Sequence, residues 1–362
     1  MQFAWGNLQA LMQNFTIGAS PEFDFCAYTI CALSSPASLK SCTYQNAGYT
    51  ITLEVETIND NGVTRIKHAS PYVGKASGGV TPTPHGGSPG TPSTDSNFQD
   101  LVNKMRAADV DRAQPSDITI DWGTKLMKEG KASKSSGPLI TYVNEQLFQR
   151  PVYSKLIAIY NQSLFVPNVC TAEMAVIGFK KAYLDDYLKT LTNTSVFQLA
   201  YNYLVSKGVA SSDFPTFYTQ LFNLWYGTYS RCSSNLGSSG WEHVYSGEWK
   251  GTEVDGQHNW VRYYLLQKAG LIDYQGYYSH EGDLIGTWEY SWNGYKKAKG
   301  GFFLGTSPAF DLSIFTTCVL TQQGASKCAF TIDGAYNIYI TSYDQSCDAG
   351  SCLSTSYPSD TP

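Results

Sequence analysis

Two of the chain's five histidines, His243 and His258, stand fifteen residues apart in WEHVYSGEWKGTEVDGQHNW, with Glu242 and Glu248 beside them. An imidazole titrates near pH 6.5, so one ring can take a proton while another gives one close to neutrality. Such a pair suits cleavage of an RNA phosphodiester by its own 2′-hydroxyl. One ring would deprotonate the hydroxyl and the other would protonate the departing 5′-oxygen. The phosphorane formed between these events carries extra negative charge and calls for a nearby cation. Lys296, Lys297 and Lys299 in SWNGYKKAKGG are candidates. Other readings stay open on the residues alone. A histidine in an apolar context is most often a packed or surface residue. A metal pair would ordinarily show the spacings His-x-x-x-His or Cys-x-x-Cys, which are absent. Scattered serines without a Gly-x-Ser-x-Gly elbow argue against a serine hydrolase.

The elements that must position these groups change character along the chain. The stretches Phe98 to Val110, Pro138 to Tyr160, Thr171 to Leu188, Val196 to Lys207 and Asp213 to Tyr229 carry apolar residues at three- and four-residue spacing and predict helices. From Trp241 onward the texture is strand and turn, interrupted by two helix candidates. One is Gln257 to Ala269, stopped by Gly270. The other is Pro308 to Leu320, with Ser307 as cap and Pro308 at the first helical position. Helices first and strands later predict an α+β domain rather than alternating β/α units.

An internal repeat sets the domain organisation. Phe3 to Cys31 aligns without a gap on Tyr290 to Cys318 at a constant offset of 287, matching Trp5 to Trp292 and Cys31 to Cys318. Ala10 falls where the second copy has Lys297, and the first copy contains neither histidine. Residues 1–72 therefore read as a partial, degenerate copy of the chain's own C-terminal part, without nuclease residues. Residues 73–97 are rich in Gly, Pro, Ser and Thr and read as a linker, with His85 inert inside it. Residues 98–360 form the main domain.

The formal net charge of −5 gives no global field that would draw in nucleic acid, so any RNA contact must rest on local groups. No apolar run is long enough for a membrane span. Met1 opens a stretch without the basic start and apolar run of a signal peptide, which taken literally reads as cytoplasmic. Nine cysteines and three sequons, at Asn14, Asn161 and Asn193, weigh towards secretion, with a chain start that is missing or wrong. Cys31/Cys42, Cys318/Cys328 and Cys347/Cys352 are close enough in sequence to bridge neighbouring strands or close a tight loop, although connectivity stays open.

Taken together, GWEHVYSGEWKG, GQHNWVRYYLLQKAGLIDYQGY, SWNGYKKAKGGFFLGTSPAFD and the terminal STSYP resemble the EndoU family of poly(U)-preferring endoribonucleases and their nidoviral relatives. The similarity extends upstream through ADVDRAQPSDITIDW and PLITYVNEQLFQRPVYSKLIAIY, covering about Phe98 to Pro358. The resemblance implies an EndoU-like α+β fold, with a helical N-terminal part followed by two small antiparallel-sheet subdomains that carry the active site. It implies His243 and His258 as the catalytic pair, His258 as general base and His243 as general acid. It selects Lys297 over its neighbours as the cation. It makes Glu242 and Glu248 supports for activity, and Thr355 and Tyr357 contacts for uracil. By the same resemblance the substrate is single-stranded, uridine-containing RNA, cut 3′ to uridine to leave a 2′,3′-cyclic phosphate and a 5′-hydroxyl. Mn²⁺ is the implied cofactor, with no ligand set visible, and a monomer without membrane attachment is expected. The rival reading is a catalytically weak RNA-binding or signalling protein on the same scaffold.

Overall fold

The computed structural model describes residues 3–5, 8–10, 31, 39–46, 49–60, 63–73, 98–130, 135–232 and 235–361. The chain divides into two compact units, Met1–Gly86 and Gly87–Pro362. His85 and Asn14 lie outside the described residues.

In the first unit, β1 (Phe3–Trp5) and β2 (Leu8–Ala10) form an antiparallel ribbon. The strands β3 (Leu39–Asn46), β4 (Tyr49–Asp60) and β5 (Val63–Val73) follow as an antiparallel meander. A disulfide joins Cys31 to Cys42, and Cys31, Leu53 and Val55 are buried.

The second unit begins with α1 (Phe98–Ala108), whose Leu101, Val102 and Met105 form its buried stripe. The stretch expected to be helical from Pro138 to Tyr160 is divided. Its first part is a strand, β7 (Ile140–Val143), paired with β6 (Ile118–Ile120); a 3₁₀ turn over Glu145–Gln149 follows, and only Pro151–Asn161 is α-helix (α2). Ile140, Thr141 and Val143 are β-branched and favour a strand. Pro151 cannot continue a helix from upstream, and it holds Arg150 extended at ψ 141°. Next come α3 (Gly178–Thr192), α4 (Ser195–Ser206) and α5 (Phe214–Tyr226). Thr194 and Asp213 cap the last two through their side-chain oxygens.

The short pair β8 (Thr228–Tyr229) and β9 (Ser238–Ser239) leads into one π-helical turn, Glu242–Ser246, and the hairpin β10 (Glu248–Lys250) and β11 (Glu253–Asp255). The helix expected from Gln257 starts at Trp260 (α6, Trp260–Lys268), because Gln257 has φ 59° and Asn259 takes the cap, accepting from Arg262 N at 3.1 Å. The long strands β12 (Ile272–Glu281), β13 (Ile285–Trp292) and β14 (Tyr295–Phe303) complete a sheet in the order β10-β11-β14-β13-β12. All its pairings are antiparallel except one parallel contact of β11 with β14, at Glu253 and Lys296. The almost wholly buried helix α7 (Pro308–Thr321) has Ser307 as its cap, accepting from Phe310 N at 3.1 Å. It leads to the antiparallel sheet β15 (Gly324–Ile332), β16 (Tyr336–Cys347) and β17 (Gly350–Ser359). Helices followed by two small sheets make the domain α+β. Disulfides Cys318–Cys328 and Cys347–Cys352 join neighbours in sequence, and Cys170–Cys232 ties distant loops together.

Candidate active site

The stretch from Trp241 to Trp260 folds back on itself so that both histidines come together. Gln257 N donates to His243 O at 2.6 Å, and His258 N donates to Val244 O at 2.7 Å. This approach needs glycine at 256: its φ is +65°, and a Cβ there would lie 2.0 Å from His243 O. The two imidazole centroids are 5.9 Å apart.

Each ring is held at its Nδ1. His243 Nδ1 is 2.9 Å from Glu248 Oε1, and its Nε2 is 3.1 Å from Thr355 Oγ1. His258 Nδ1 lies 2.9 Å from Gly301 O, and because a carbonyl only accepts, the proton of the neutral ring sits on Nδ1. Nε2 of His258 is then the basic nitrogen. Gly301 also lets β14 approach β17, since a Cβ there would fall 2.0 Å from Pro358 O. Tyr357, on β17, stacks on the His258 ring at 4.8 Å and 18°. Lys297 Nζ donates to Gly256 O at 2.6 Å. Its neighbour Lys296 instead meets Glu289 Oε1 at 2.6 Å and Gly130 O at 3.0 Å, as alternation along a strand requires.

The structure thus gathers His243, His258, Lys297, Glu248, Thr355 and Tyr357 in one place. Glu242 differs from Glu248: it is fully buried, and neither carboxyl oxygen has a hydrogen-bond partner among the described residues. Arg231 was not singled out in the sequence. Its Nε meets Glu248 Oε1 at 3.0 Å, and it also donates to Tyr229 Oη and to the Ser354 carbonyl beside Thr355. Ser238 Oγ donates to the same Glu248 oxygen at 3.0 Å. Both lie in YSRCSSNLGSSG, a polar loop whose composition alone carries no sign of this role.

Burial dominates the electrostatics. It lowers His243 well below the usual imidazole range, helped by the Arg231 charge, and lowers His258 likewise, helped by Lys297. Burial brings Lys297 down to about 8, with Asp255 opposing. Burial pushes Glu248 up to about 8 against the pull of Arg231, and drives Glu242 well above the carboxylate range, reinforced by the Glu248 charge.

His243, Glu248 and Asp255 offer ligand atoms within 4.8 Å of one another, a compact donor set for a divalent ion. A manganese ion does not fit it as it stands. Arg231 already places its guanidinium on Glu248 and 3.8 Å from Asp255, so the ion would displace or oppose a cation. The other compact group, Cys347, Asp348 and Cys352, has its two sulfurs joined in a disulfide and retains one carboxylate.

Fold and site together define an α+β protein with a buried imidazole pair beside a cation, a class of site suited to phosphodiester transesterification. The family model described as Endoribonuclease XendoU matches residues 97–358, and the chain belongs to that family. It is 33% identical over 265 residues to a uridylate-specific endoribonuclease of Mus musculus, covering 69% of this chain and 61% of that protein. It is 34% identical over 255 residues to uridylate-specific endoribonuclease D of Xenopus laevis, covering 67% of this chain and 81% of that one. The chain therefore spans about 61% of the length of the mouse relative. A solved structure described as "The structure of XendoU: a splicing independent snoRNA processing endoribonuclease" superposes with a TM-score of 0.61 at 29% identity, covering 72% of this chain and 97% of that one.

Proposed function

We propose that the domain is an endoribonuclease that cuts single-stranded RNA on the 3′ side of uridine by attack of the 2′-hydroxyl. The observation that carries this is the convergence of two imidazoles, each held at Nδ1, with the Lys297 amine on one glycine turn. His258 Nε2 takes the 2′-hydroxyl proton, the new bond forms from that oxygen to phosphorus, and the bond to the 5′-oxygen breaks. His243 delivers a proton to the departing oxygen, leaving a 2′,3′-cyclic phosphate and a 5′-hydroxyl. Lys297 stabilises the charge gathering on the phosphorane. DNA lacks the nucleophile and is not a substrate.

Glu248 and His243 act as one unit. Burial raises the carboxyl and lowers the imidazole, and His243 Nδ1 faces the same Glu248 oxygen that accepts from Arg231 and Ser238, so a proton gained by the ring is held against that acid. Thr355 on His243 Nε2, and Tyr357 stacked on His258, put the base-reading strand against the reacting groups, which supports a role for both in holding uracil. The test is the product end group from an RNA with one uridine. A cyclic phosphate is expected, and a linear 5′-phosphate would overturn the reading.

Manganese stimulation is carried by the family resemblance, and cleavage with EDTA or added Mn²⁺ tests it without reference to a site. Secretion is supported by four disulfides and by exposed Asn161 and Asn193, and glycosylation of the native protein checks it. A monomer is expected by light scattering. Residues 1–72 are proposed as the degenerate copy: the pairings Phe3 with Ala10 and Trp5 with Leu8 correspond, at the offset of 287, to Tyr290 with Lys297 and Trp292 with Tyr295.

A further inference from the structure

Gln257 stands between Gly256 and His258 and is as buried as any residue of the site. It is not glycine, yet its φ is 59°, a region that costs a side chain free energy unless its surroundings hold it there. The peptide it belongs to touches all three catalytic groups. Gly256 O accepts from Lys297 Nζ, Gln257 N donates to His243 O, and His258 is the next residue. Its side-chain Oε1 accepts from the Tyr290 hydroxyl, while its Nε2 has no partner among the described residues. Tyr290 is fully buried, and on the sheet it pairs with Lys297 across β13 and β14.

We propose that Gln257 and Tyr290 form a positioning pair, in which the tyrosine hydroxyl locks the left-handed turn that sets the spacing of His243, His258 and Lys297. The pair touches no reacting atom. It acts through the turn, and it rests on the cyclising mechanism given above. The internal repeat supports a role for the hydroxyl beyond packing. At the offset of 287, Tyr290 corresponds to Phe3 and Lys297 to Ala10, so the copy without the amine keeps the ring and lacks the hydroxyl.

The experiment is a double-mutant cycle on the full chain with Tyr290→Phe, Gln257→Leu and the pair together, read by single-turnover cleavage of a one-uridine RNA. Near-ultraviolet circular dichroism and thermal unfolding establish that each variant is folded. Each single variant is expected to lose about 10- to 100-fold in rate with KM nearly unchanged, because a small displacement of catalytic groups acts on the transition state. The double variant is expected to be no worse than the poorer single one. In Tyr290→Phe the alkaline limb of the rate profile, set by Lys297 near 8, is expected to move, which a loss of packing alone would not cause. Gln257→Gly relieves the φ strain but removes the amide, and is expected to be as slow as Gln257→Leu. Wild-type rates in folded Tyr290→Phe or Gln257→Gly, or losses that multiply in the double variant, would overturn the proposal. If the wild-type chain makes no cyclic phosphate, the proposed function fails instead, so the two failures are distinct.

Discussion

Replacing Glu248 with Gln tests the pairing of Glu248 with His243 directly. Glu248 Oε1 accepts from Arg231 and Ser238 and lies 2.9 Å from His243 Nδ1, with Glu248, Ser238 and His243 all buried. The amide keeps the shape of the side chain, so RNA binding should change little. It carries no negative charge to face His243 when the ring holds the proton. Two unit charges about 4 Å apart at an effective dielectric near 20 attract by about 4 kcal/mol. At about 1.4 kcal/mol per factor of ten, losing that attraction lowers the cleavage rate roughly a thousandfold. Stopped-flow single-turnover cleavage of a fluorogenic one-uridine oligonucleotide at pH 7 measures the rate, and its concentration dependence gives KM. Glu242→Gln is the matched control. Burial raises that carboxyl and it bonds neither ring, so its amide should stay within about tenfold of wild type. Wild-type rates for Glu248→Gln, or a larger loss for Glu242→Gln than for Glu248→Gln, would refute the assignment of the two acids.

Three other outcomes follow from the geometry. Lys297 is charged below about 8 and loses its proton above it, so cleavage by the wild type should fall across that range. In Lys297→Arg the charge persists, and the ratio of variant to wild-type rate should rise from pH 7 to pH 9.5. Gly256→Ala forces a Cβ to within 2.0 Å of His243 O at a φ of +65°, and should abolish cleavage and lower the unfolding midpoint by differential scanning fluorimetry. Burial raises Asp311 to about 8 from 3.8, so its neutral form is the folded one; the stability it contributes is complete below pH 4 and is lost as pH rises to 8. Asp311→Asn, permanently neutral, should gain on the wild type across that window, by up to about 4 kcal/mol at pH 7. Urea unfolding at pH 5 and pH 7.5 would show it; an equal effect at both would contradict the raised carboxyl.

The local rules of the chain made much of this legible. Ser307 ahead of Pro308 announced a capped helix, and a cap needs only neighbouring residues. The family resemblance, through the Trp292 block, selected Lys297, and the strand then turns Lys296 to Glu289 and Lys297 to Gly256. The helix expected over Pro138 to Tyr160 was misread because its apolar spacing also fits a short strand, and the pairing of β7 with β6 lies outside the segment. The helix expected from Gln257 begins three residues later because nothing local shows that residue 257 has a positive φ. Arg231 escaped notice for the same reason: its partners are 17 and 123 residues further along the chain.

Residue types and order by themselves determined the α+β class, the internal repeat, the capped helices and the histidine pair, since each depends on near neighbours or on self-similarity, whereas Lys297 and Tyr357 came from the family resemblance. The tertiary structure decided that Glu248 meets His243, that His258 meets the Gly301 carbonyl and that Glu242 bonds neither ring. Those depend on burial and on contacts between distant segments: removing water moves the pKa values, and only the packed sheets bring Gly301 and Tyr357 against His258 and Thr355 against His243.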